Sequence, residues 1–250
     1  MPHLPHPPHA SEPPRRGFFK QVAVASSTLP LIGGAALGLA TPAQAAEGAA
    51  ATLPDPLLGY QSFSPGEAAF VEALVNIMCP ADSYSPAGVD CGLAVYIDRQ
   101  LAGSFGQRDR RYRQGPFEPG KPQFGWQFPL TPEQLFKAGV AAANAELKRR
   151  GKPALDELPA PEADAYLHEL AEGRLSVDGV DLGLWFNELV YPLFTEACFS
   201  DPIYGGNNSK VFWKLIGYPG LPATHALDIV QFRNKPFPGS SKPMSIADFS

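Results

Sequence analysis

Cysteine, histidine and charge are all scarce in this chain. It has three Cys in 250 residues, and no two of them stand at CxxC spacing. That excludes a zinc ribbon, a CxxCH haem-attachment site and a self-contained iron–sulfur cluster, which needs about four thiolates. Charged residues are 18% of the chain, 20 bases against 25 acids, for a formal net charge of −5. A nucleic-acid binder would carry a concentrated basic face, so that class is excluded as well. A surface so short of charge suits a chain that is partly covered by a partner. No phosphate-cradling glycine loop, GxSxG elbow or HExxH helix occurs. Proline and glycine are plentiful: 28 and 24 residues, 52 of 250, where average usage is roughly 12%. Long irregular connections are therefore expected. A hydrophobic content of 44% with 11% aromatics is ordinary for a folded chain and argues against wholesale disorder.

Residues 1–45 read as a targeting segment rather than as part of the fold. Arg15, Arg16, Phe19 and Lys20 form a twin-arginine export address, with Pro14 where a hydroxyl residue is usual. An apolar stretch follows from Val22 to Ala40, and Ala43-Gln44-Ala45 makes a small-x-small cleavage site between Ala45 and Ala46. Those 19 residues approach the length of a membrane span. Pro30, the interspersed glycines and the cleavage site favour a removable signal over an anchor. His3, His6 and His9 resemble metal spacing, but they would leave with the signal. The mature chain of 205 residues would carry 17 bases and 24 acids, net −7. The expected product is an exported, acidic, periplasmic protein of one domain, 46–250.

The mature chain reads as mainly α: an irregular helical domain with long Pro/Gly-rich loops and extended N- and C-terminal arms. Ser64-Pro65-Gly66-Glu67 is a capping box with Pro at the first helical position, opening a helix that Cys79-Pro80 stops. Leu93, Ile97 and Leu101 mark a second helix starting at Cys91. Residues 103–130 form a long connection with four Arg between 108 and 113, suggesting an anionic partner or, more plainly, a solvated loop. Thr131-Pro132-Glu133-Gln134 is a second capping box, and its helix ends at Arg149-Arg150-Gly151. Further helices are expected from Pro161, from Asp181 (with Pro192 kinking it) and from Val211 to Ile216. Residues 218–250, rich in Pro and without a sustained period, read as an extended arm. Asp164, His168 and Glu172 share one helix face and could ligate a metal, although a solvated face explains them better.

Three runs are more particular than any fold requires: Cys79-Pro80-Ala81-Asp82, Ser200-Asp201-Pro202-Ile203-Tyr204-Gly205-Gly206-Asn207, and Phe212 through Gly220. Together with the twin-arginine leader they resemble the small, or gamma, subunit of membrane-bound gluconate 2-dehydrogenase. The resemblance implies a heterotrimer. A large flavin dehydrogenase subunit carries FAD and an iron–sulfur cluster, and a multihaem cytochrome c subunit carries haem c and reduces quinone. This chain would hold no cofactor, metal or catalytic residue. It would support maturation and export of the flavin subunit, and it would meet the membrane only through the complex. Relatives serve fructose, sorbitol, 2-ketogluconate and glucose dehydrogenases, so the substrate stays open. A stand-alone secreted binding protein using the 103–130 loop is the alternative.

The expected partner interface is Cys198, Asp201, Tyr204, Gly205, Gly206, Asn207 and Trp213. Cys79 and Cys91 flank the loop between two helices, and an exported location permits their oxidation to an intrachain disulfide; two buried thiols are the alternative. Cys198, the thiol left over, is expected either to bond the flavin subunit or to pack as a small apolar residue.

Overall fold

A computed structural model of the chain describes residues 59–108, 115–117, 121, 129–173, 175–177 and 179–249. The export signal (Arg15, Arg16, Phe19, Lys20), the Ala45/Ala46 cleavage site and most of the Arg-rich connection lie outside the described residues. The described residues belong to one compact unit, 48–250.

The fold is mainly α. Helix α1, Pro65–Met78, starts at the expected capping box, with the Ser64 hydroxyl accepting from Glu67 N–H and the Glu67 carboxylate accepting from Ser64 N–H. It ends before Pro80, because a proline restricts the residue ahead of it to extended backbone. Helix α2, Leu93–Ala102, begins two residues later than the sequence suggests, after Gly92 in the left-handed region. Helix α3, Pro132–Arg149, is opened by the Thr131/Gln134 capping box. Helix α4, Ala160–Ala171, follows, and then a minimal hairpin of β1, Ser176–Val177, and β2, Val180–Asp181, pairs Ser176 with Asp181.

The most apolar stretch runs as α5, Leu182–Trp185, a π turn, Phe186–Val190, and α6, Tyr191–Phe199. Here the structure refines the expected kink. Pro192 has no N–H to give back four residues, and its ring would crowd the carbonyl there. The helix widens by one residue just ahead of it, with Tyr191 N–H donating to Phe186 O, so the chain continues without a break.

The tail departs further from expectation. After the expected short helix α7, Val211–Ile216, the tail contains, instead of an extended arm, helix α8, Ala226–Gln231, and single 3-10 turns at Pro222–His225, Pro238–Ser241 and Ile246–Phe249. Two of those turns begin on a proline, whose fixed φ suits a first helical position and whose missing N–H costs nothing there. Absence of period in a sequence excludes a long helix and leaves single turns unseen.

The core sits around Trp185, which has no exposed surface. Phe70 and Phe136 flank its indole at 6.3 and 6.0 Å, and Phe63 stacks on Phe136 at 5.7 Å. A Cβ at Gly139 would lie 2.1 Å from the indole nitrogen, so α3 can approach only because that position has no side chain. Two buried carboxylates tie elements together. Asp98 accepts from the backbone N–H groups of Gln61, Ser62 and Phe63 at 2.7–2.9 Å, which fastens the segment ahead of α1 onto α2. Glu146, with 2% of its side chain exposed, is gripped by Arg149 and Arg150, and Arg150 reaches on to Glu169 of α4.

Candidate functional site

The Ser200–Asn207 run leaves the end of α6 and turns back against α2. Asp201 caps the 3-10 turn Pro202–Tyr204, its carboxylate accepting from Ile203 N–H at 3.1 Å. The other carboxylate oxygen accepts from Ile246 N–H at 2.9 Å, which brings the far end of the tail to the motif. Gly205 has φ +99°, and a Cβ there would meet the Arg99 guanidinium at 2.7 Å. At Gly206 a Cβ would lie 2.4 Å from Ala197 O, a backbone atom that cannot step aside. Gly206 is thus required by close approach of backbone, and Gly205 by its left-handed φ.

Asn207 is fully buried with a left-handed backbone. Its amide donates to Ser200 O at 3.0 Å and accepts from Phe212 N–H at 3.0 Å, joining the end of α6 to the start of α7. Asn208 extends the seam, with its backbone N–H donating to Cys91 O and its side-chain amide to Asp90 O. Trp213 is 4% exposed and donates its indole N–H to Phe199 O at 2.8 Å.

The seven residues expected to meet a partner therefore divide. Cys198, Gly205, Gly206, Asn207 and Trp213 are buried and hold the chain to itself; Asp201 is half-buried and Tyr204 is exposed. The specificity of this run is thus largely internal: it fastens α2, α6, α7 and the tail at one seam.

The three thiols come together beside that seam, free and buried. Cys79 and Cys91 both point at Pro86 O, at 3.9 and 3.5 Å. Burial, reinforced by the adjacent Cys79, pushes the Cys91 thiol up to about 11. Burial, with both other thiols nearby, pushes Cys198 up to about 12. The expected Cys79–Cys91 bridge is not closed in this structure, although its two sulfurs share one carbonyl. Cys198 takes the buried alternative, packed as a small apolar residue. Nothing among the described residues groups three or more His, Cys, Asp or Glu in a manner able to hold a metal ion. Asp164 and His168 are largely solvated and stand 3.8 Å apart.

Next to the motif lies a groove of about 480 Å³ between α6, α7 and the returning tail. Phe199, Trp213, Ile216, Tyr218, Leu221 and Ile246 line it, together with Asp201, whose two carboxylate oxygens already accept from Ile203 and Ile246 N–H. Of the residues expected to meet a partner, only Asp201 and Trp213 line this surface. Its members come from three segments, and Leu221 and Ile246 sit in the proline-rich tail, where no periodicity marks them. No helix among the described residues is long and apolar enough to cross a membrane.

No curated protein and no solved structure matches the chain. A family model does match, that of gluconate 2-dehydrogenase subunit 3, over residues 65–220. The match spans α1 to the end of the Phe212–Gly220 run, and so contains the thiol cluster and the whole Ser200–Asn207 seam. The chain belongs to the gluconate 2-dehydrogenase subunit 3 family, and it is a subunit of a multi-subunit dehydrogenase.

Proposed function

We propose that this chain is the non-catalytic small subunit of an FAD-dependent sugar-acid or sugar dehydrogenase, and that it matures and escorts the flavin subunit to the periplasm. The family match over 65–220 carries the reading. The twin-arginine address at Arg15-Arg16 supports the escort role, since that route moves folded proteins. One signal can then carry a partner that has already bound its flavin. The other proposed partner, a multihaem cytochrome c, receives the electrons and holds the complex on the outer face of the membrane.

Replacing Arg15 and Arg16 together with Lys tests the escort. The expected outcome is loss of periplasmic dehydrogenase activity while flavoprotein persists in the cytoplasm. Normal periplasmic activity in the double variant overturns the reading.

A further inference from the structure

We propose that the groove beside the Ser200–Asn207 seam, built largely from the net-basic 210–250 segment, is the surface that docks the flavin subunit, and that it fits an apolar projection accompanied by carboxylates. The proposal rests on the escort reading for the identity of the occupant. The location and chemistry of the surface come from the fold.

Large apolar side chains stand in solvent there. Phe199 is 46% exposed, Ile216 59% and Ile246 41%, all three lining one groove. Tyr204 and Phe249, on turns that pack against each other beside it, are 52% and 62% exposed. Single exposed apolar residues are ordinary, but a contiguous set around a concavity marks an interaction site.

Charge selects the partner. Residues 210–250 carry five bases against two acids, net +3, in a chain whose formal net charge is −5. Both acids are engaged within the tail, Asp228 with His225 and Asp248 with Lys210. Lys214, Arg233, Lys235 and Lys242 are exposed and form no ion pair among the described residues. Opposite charge on a partner would steer docking and fix its register around an apolar centre. An anionic membrane surface shares that charge. A concave apolar site suits an inserted projection from a folded partner better than it suits a flat bilayer. The seam explains why the surface is formed in the isolated chain: Asp201 holds Ile246, and Lys210 donates to Pro243 O, so the tail stays on α7.

The test is co-purification of the flavin subunit with the full chain carrying Ile216→Glu, Ile246→Glu, or Lys214→Glu with Lys242→Glu. The apolar variants should retain about tenfold less flavin subunit, as central interface positions do. The charge-reversal pair should weaken capture and flatten its dependence on salt. Asp164→Lys, on α4 and outside the groove, is the control and should capture normally. Undiminished capture by all three groove variants overturns the proposal, as does binding of the wild-type chain to phosphatidylglycerol vesicles in competition with the flavin subunit. If Ile246→Glu melts early, the lysine pair decides, because those side chains are solvated in the free chain. Failure of the wild-type chain to hold any flavin subunit would instead overturn the escort reading.

Discussion

Asn207 and Glu146 are both buried polar groups with their partners supplied, Glu146 by Arg149 and Arg150 at the end of its own helix and Asn207 by the ends of two different helices. For Asn207 the partners are the Ser200 carbonyl and the Phe212 N–H, and the backbone at φ +50° is one that Asn tolerates better than most residues. Asn207→Ala would leave the buried Phe212 N–H unpaired, a loss of about 1–3 kcal/mol, and the half-buried Ser200 carbonyl unpaired at a smaller loss. The expected result is a fall in unfolding free energy of roughly 2–4 kcal/mol by urea titration. A change within about 0.5 kcal/mol, as at an ordinary surface site, would show that the amide is not a structural tie. The motif was legible as special from its residue types. Its inward role was not, because Gly-Gly-Asn reads the same in a binding loop and in a packed seam.

Helices α1 and α3 could be read to their first residue from four-letter capping boxes, since those bonds lie within one turn of sequence. The π turn was not legible. It depends on how far α5 and α6 must continue over the core, and Pro192 announces only that something yields nearby. The link between α3 and α4 is likewise non-local, since Arg150 pairs with Glu169 nineteen positions away. It makes a pH prediction. Hydrogen bonds from Arg149, and then from Arg150, outweigh burial and hold the Glu146 carboxyl at about 2. An unfolded glutamate titrates near 4.3. The folded state therefore binds fewer protons than the unfolded one between those values, and this contribution is complete above about pH 5 and lost as pH falls towards 2. Glu146→Gln should flatten the decline of urea midpoint across that window and lower stability at neutral pH. If the variant and wild-type curves run parallel from pH 5 to pH 2, Glu146 is not the linked group.

At the scale of the whole molecule, the proposed route from cytoplasm to periplasm gives the thiol cluster two chemical environments. Cys79 ends α1 and Cys91 precedes α2, and both sulfurs face Pro86 O inside the loop that joins the helices. In a reducing compartment they pack as small apolar groups, and burial suppresses the thiolate at Cys91. In an oxidising compartment a disulfide oxidant can take two electrons and two protons from the pair, becoming a dithiol as Cys79 joins Cys91, and leave Cys198 as a buried thiol. Closing so short a loop restricts the unfolded chain by about 3 kcal/mol. For a domain of this size that corresponds to roughly 6–12 °C in melting temperature. The chain purified from the periplasm without reductant should therefore melt higher than the same sample treated with dithiothreitol, and the difference should vanish in Cys79→Ser. Mass mapping after alkylation in denaturant should find one modified cysteine, Cys198, in the unreduced protein. Three alkylated cysteines, with equal melting temperatures in the two samples, would mean that the pair stays reduced after export and that packing alone holds the α1–α2 junction.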